Sequence, residues 1–201
     1  MALFGKQTPI TKKKLITTLT VLPKQFEISF NFYPTKWVGG WTNIIHFTTG
    51  PNCCAPGSRI PGIFPSKGKV AINFALNGNG NYQVWTPKLA LKKWVNIKLN
   101  QRREGKNYVY RVYLNNKVLK TIVNKKPQDF KNVKVYVSDV WHANQAGLIK
   151  NLRITSKPTV PGKSLVNSMM ILLLDDGRQL YLTASSNVHP KQVLKRQNQH
   201  L

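Results

Sequence analysis

The sequence predicts an all-β chain, a two-sheet antiparallel sandwich with an appended C-terminal β-hairpin. Three observations predict it. Apolar and polar residues alternate in short runs along most of the chain, the period of a half-buried strand, and helical periodicity is nearly absent. Glycine, asparagine and proline punctuate those runs at the short spacing typical of sandwiches and barrels. The 201 residues, 41% hydrophobic and 10% aromatic, suffice to bury a core without metal or disulfide support.

Phe26, Ile28, Phe30 and Phe32 alternate with Glu27, Ser29 and Asn31, giving a strand with one apolar face. Trp41 to Phe47 reads as a second strand, with His46 near its end. Thr49 to Gly68 holds four prolines and four glycines, so it reads as loop with at most a short edge strand around Ile60 to Phe64. Val70 to Leu76 alternates and meets Asn77-Gly78-Asn79-Gly80-Asn81, residues that tolerate positive φ; Tyr82 to Trp85 returns as its partner.

Val95, Ile97 and Leu99 mark the next strand, and a basic turn around Gly105 leads into Tyr108, Tyr110, Val112 and Leu114. Asn115-Asn116 turns the chain into Val118 to Val123; Val133, Val135 and Val137 line a further strand, and Leu148 to Ile154 closes the block. Ser156 to Lys163 reads as a linker, and Met169 to Leu174 with Gln179 to Thr183 as a hairpin around an Asp-Gly turn, before a polar, basic tail. A lone hairpin is marginal in water, so this one is expected to pack on the sandwich or on another copy of the chain. The expected organisation is a sandwich over residues 12–155, then linker, hairpin and tail over 156–201.

Charge is the most informative total: 31 Lys+Arg against 6 Asp+Glu, a net charge of +25. Such an excess concentrates anions around the molecule, and solubility alone is served better by acidic residues. Lysine dominates arginine, and its hydrated point charge suits diffuse attraction to an anionic surface more than bidentate reading of bases. The candidate polyanion-binding residues are Lys88, Lys92, Lys93, Lys98, Arg102, Arg103 and Lys106 around Trp94, then Lys125, Lys126 and Lys131 within a second basic stretch. Trp37, Trp85 and Trp141 sit beside turns and are candidates for stacking on sugars, whereas Trp41 and Trp94 are expected in the core.

Catalysis is not expected. Glu27 and Glu104 are the only glutamates and do not form the flanking carboxylate pair of a glycosidase. His46 and His142 fall near strand-end loops where they could approach each other, but a His pair without a third ligand is a poor metal site. Asp139 has no second carboxylate beside it to help hold calcium. No catalytic residue, metal site or cofactor is assigned. Cys53 and Cys54 are adjacent, and neighbours rarely bridge, so no disulfide framework is expected. No N-x-[ST] sequon, signal peptide or membrane-spanning apolar run is visible.

The runs F-E-I-S-F-N-F-Y-P-T (Phe26 to Thr35), W-T-N-I-I-H-F-T-T-G (Trp41 to Gly50) and R-I-P-G-I-F (Arg59 to Phe64), with the Trp94 strand, form a recurring set. Together with N-V-K-V-Y-V-S-D-V-W (Asn132 to Trp141) and G-L-I-K-N-L-R-I (Gly147 to Ile154), this set resembles the laminin-G-like, concanavalin-A-like jelly rolls of invertebrate extracellular proteins. The resemblance covers roughly residues 12 to 154. It implies two sheets packed face to face, ligand contacts through rim loops or the concave sheet, an extracellular location, and a glycan- or matrix-binding role.

The expected function is a non-enzymatic, cationic, lectin-like module docking on an acidic polysaccharide or other polyanionic surface. The alternative is a self-assembling scaffold that binds or nucleates an anionic mineral such as silica (biomineralization), with homo-oligomer contacts through the C-terminal hairpin. Nucleic-acid packaging ranks third, because no nucleic-acid-binding motif is present.

Overall fold

The computed structural model describes residues 1–156 and two later strands, Met169–Leu173 and Gln179–Thr183. The chain divides into two compact units, Met1–Thr159 and Val160–Leu201. The first holds β1 (Ala2–Phe4), β2 (Thr8–Pro9), β3 (Lys14–Leu22), β4 (Phe26–Pro34), β5 (Thr42–Asn43), β6 (Ile45–Thr48), β7 (Gly62–Ser66) and β8 (Lys69–Leu76). It continues with β9 (Asn79–Trp85), β10 (Val95–Glu104), β11 (Asn107–Leu114), β12 (Lys117–Asn124), β13 (Phe130–Val137), β14 (Ala143–Asn144) and β15 (Gly147–Ser156). No helix occurs among the described residues.

Two antiparallel sheets form the sandwich. Sheet A runs β1-β15-β4-β10-β11-β12, with β2 also on β15; sheet B runs β3-β13-β6-β7-β8-β9. The short β5 and β14 pair in parallel. In the second unit β16 (Met169–Leu173) and β17 (Gln179–Thr183) pair as an antiparallel hairpin. Most of the expected linker, the Asp-Gly turn and the tail lie outside the described residues.

The alternation in the sequence becomes the inner faces. Phe26, Ile28, Phe30 and Phe32 of β4 are buried while the residues between them are half-exposed. Each such burial contributes roughly 1.5–3 kcal/mol. Phe74 joins the two sheets: its ring lies 5.2 Å from Phe26, 5.0 Å from Tyr110 and 6.5 Å from Phe130. The Tyr110 hydroxyl has no hydrogen-bond partner, and burial pushes its pKa far up.

Several expectations are corrected. Strands β1 to β3 precede the first anticipated strand. The segment around Ile60 to Phe64 is no edge, because β7 lies between β6 and β8. Val70 to Leu76 alternates in sequence, yet every one of these side chains is buried. The reason is the segment 49–61, which folds back over the outer face of sheet B. Thr49 N–H donates to Gly57 O at 2.9 Å and Ile60 N–H to Phe47 O at 2.9 Å, and Arg59 Nη1–H reaches Asn81 Oδ1 at 2.8 Å. Gly80 runs so close beneath it that an added Cβ would meet Cys54 O at 2.1 Å. Cys53 and Cys54, whose state the sequence leaves open, bring their sulfurs together within this segment.

Candidate functional site

Residues paired across strands share a face. Trp85 is opposite Ala71, Ala71 opposite Phe64, and one step along, Lys69 is opposite Ser66. Ile72 and Ile63, their neighbours along the strands, belong to the core, so this row points outward. The connection after β4 brings Trp41 onto the row, with its ring centroid 5.7 Å from that of Trp85. Both rings stay wet, Trp41 being 49% and Trp85 40% exposed. Beside them Ser66, Lys67, Lys69, Trp85 and Lys88 line an open cleft of about 600 Å³. None of the three lysines meets a carboxylate among the described residues.

Farther along the same face lies a buried ionic cluster. His46, Gly62 and Asn73 form one cross-strand row, and the connection after β13 folds Asp139 onto it. His46 Nδ1–H donates to Asp139 Oδ2 at 2.7 Å, and Nε2 lies 2.6 Å from Ser58 O. Asp139 also accepts from Trp141 N–H, His142 N–H and His142 Nδ1–H. Burial alone would raise the Asp139 pKa, but the hydrogen bonds from His46 and from the His142 backbone and side chain outweigh it and hold the pKa down at about 2. The Trp141 ring lies 5.3 Å from His46 and remains 41% exposed. No group of three or more His, Cys, Asp and Glu able to hold a metal occurs among the described residues.

The anticipated site residues are dispersed. Lys88 lines the cleft beside Trp85. Lys92 and Lys93 precede β10, while Arg103 lies at its far end and Lys106 in the turn after it, about 30 Å away at the rise of a strand. Lys98 projects from sheet A with its Nζ 4.5 Å from the Tyr113 ring centre, and Arg102 lies 4.0 Å from Glu27. Arg103 Nε–H donates to Gly105 O. Lys125 and Lys126 follow β12, where Lys126 lines a separate cavity of about 190 Å³, and Lys131 is exposed on β13. Trp37 leans into the core, 6.4 Å from Phe32, while Trp85 and Trp141 are exposed.

The two tryptophans expected inside are corrected. Trp41 is exposed, and Trp94 is half-buried on the outer side of sheet A, between Tyr33 at 5.2 Å and the Lys150 ammonium at 4.0 Å. Sequence reasoning also missed Ser66, Lys67 and Lys69. The basic turn Lys67-Gly68-Lys69 is their local signal, and Gly39-Gly40, a sharp connection in which Gly40 takes φ 75°, is that of Trp41.

No protein-family model and no curated protein matches this chain. Solved structures show a likeness at low identity. A native heptameric SAP-like pentraxin from Limulus polyphemus is 15% identical, over 75% of this chain and 73% of that one, with a TM-score of 0.49. Domain 4 of AbnA, a GH43 extracellular arabinanase from Geobacillus stearothermophilus in complex with arabinotriose, is 16% identical over 76% and 83% of the two chains, with a TM-score of 0.47. The CBM40 of the Ruminococcus gnavus IT-sialidase is 13% identical over 77% and 92%, with a TM-score of 0.46.

Proposed function

We propose that this chain is a non-enzymatic module that binds anionic polysaccharide at the cleft beside Trp41 and Trp85. The observation that carries the reading is the Trp41–Trp85 pair, two large rings held 5.7 Å apart in solvent next to Lys67, Lys69 and Lys88. Leaving apolar surface wet forgoes about 25 cal/mol per Å², and fixed exposed aromatics mark binding surfaces. An aromatic plane offers the apolar side of a pyranose a stacking partner, and the ammonium groups meet its carboxylate or sulfate. Uncharged sugars use only half of this set.

The test is a tryptophan-fluorescence titration with a short heparin oligosaccharide, run against neutral dextran oligosaccharide. Binding is expected for heparin alone. It weakens at least tenfold in a Lys67→Gln/Lys69→Gln/Lys88→Gln variant, and again as salt shortens the Debye length to about 8 Å at physiological strength. Equal binding of dextran, or full affinity in the triple variant, overturns the reading.

A further inference from the structure

The opposite side of the sandwich carries a second set of the same chemistry. Across sheet A, Arg153 is opposite Ser29, Ser29 opposite Lys98, and Lys98 opposite Tyr113. One step along, Asn31 is flanked by Lys150 and Asn96. Ile28, Phe30 and Phe32 alternate with Ser29 and Asn31 on β4 and are wholly buried, so these rows face outward.

Two of the three cations are held in place by rings. Lys98 Nζ lies 4.5 Å from the Tyr113 ring centre and Lys150 Nζ 4.0 Å from that of Trp94. A cation over a ring keeps its N–H protons for an anion while losing little to side-chain ordering on binding. The carboxylates of this side are engaged elsewhere: Glu27 accepts from Asn100 Nδ2 and lies 4.0 Å from Arg102, and Glu104 takes both guanidinium arms of Arg111. Lys98, Lys150 and Arg153 meet no carboxylate among the described residues.

We infer that sheet A is a second docking surface for anionic polysaccharide, so that one copy of the chain bridges two polymer strands. The inference rests on the proposed reading of the Trp41–Trp85 cleft, since bridging needs both surfaces. The cleft opens on the outer face of sheet B and the second set on the outer face of sheet A. Paired sheets lie about 10 Å apart with their inner faces together, so the two surfaces look in opposite directions. A polymer strand seated on one leaves the other open to a second strand. Linking then follows from geometry, without any oligomer of the protein.

The experiment mixes the full chain with long dextran sulfate over a range of ratios and reads light scattering, with binding measured separately by fluorescence anisotropy of a labelled short dextran sulfate. Scattering is expected to rise and fall with ratio for the long polymer, and to stay flat for the short one. A Lys98→Gln/Lys150→Gln/Arg153→Gln variant and a Trp41→Ala/Trp85→Ala variant, each with an unchanged circular dichroism spectrum, should both still bind while scattering drops at least tenfold. Bridging that survives in the sheet A variant overturns the inference and leaves the cleft reading standing. Unchanged affinity and bridging in the tryptophan variant overturns both. A wild-type chain that binds long polymer without scattering at any ratio shows a single surface, and the inference falls.

Discussion

His46 Nδ1 and Asp139 Oδ2 lie 2.7 Å apart with both side chains wholly out of solvent, joining the middle of sheet B to the connection after β13. The same carboxylate fixes the amides of Trp141 and His142, so one buried acid sets the course of residues 138–142. That connection displays Trp141 on the face that carries the cleft.

Asp139→Ala is expected to destabilise the chain by about 3–5 kcal/mol, because it strands a buried imidazole and two backbone N–H groups. Asp139→Asn keeps an acceptor and costs less. Urea unfolding monitored by tryptophan fluorescence measures both. An alanine variant with the wild-type midpoint would contradict the buried cluster.

The same carboxylate makes stability depend on acid. Its pKa is about 2 in the folded chain against an ordinary 3.8, so the unfolded chain takes up the proton first as pH falls. The contribution is complete above pH 3.8 and disappears as pH drops through about 2, a loss of roughly 2 kcal/mol. Melting temperatures between pH 5 and pH 2 should fall more steeply for the wild type than for Asp139→Asn. Parallel curves would refute the assignment.

EDTA should leave the melting temperature unchanged. Both oxygens of Asp139 already accept N–H donors, leaving that carboxylate no open position for calcium. A drop of several degrees on chelation would show that a cation is held after all.

Gly80→Ala is expected to cost about 1–3 kcal/mol or more, since its Cβ would press on backbone atoms of Cys54 and Ala55 that cannot swing away. Gly39→Ala, with nothing within 4 Å, should change stability by less than about 0.5 kcal/mol. Comparable effects for the two would mean that segment 49–61 does not cover the face.

The strands whose two faces see different surroundings were the legible ones. Phe26 to Phe32 and Val133 to Val137 announce one apolar face, and that face is the core. The strand Lys14–Leu22 carries no such period: Ile16, Leu19 and Leu22, three residues apart, pack on the core, and its pairing with β13 shifts register. It lies on an edge, and Leu15 and Val21 stay exposed. The cleft was half legible. Trp85 and Lys88 are three residues apart and could be paired by eye, whereas Trp41 and Lys69 join them only through strand pairing and a connection. Burial of Val70 to Leu76 on both faces could not be read either, because the covering segment belongs to no period.

The pairing of β1 with β15 has a consequence for how the unit comes into being. The strand nearest the amino end sits against the strand that closes the fold, with Ala2 opposite Arg153, and β15 is also what joins β1 and β2 to β4. During synthesis sheet A therefore stays incomplete until its last strand emerges from the ribosome, and pairing so distant in sequence makes for slow folding. Once formed, the unit holds Ala2 and Ser156 on neighbouring strands. Joining Ser156 to Ala2 by a short linker and opening the chain at the exposed turn at Gly105 should thus give a circular permutant with the same sandwich.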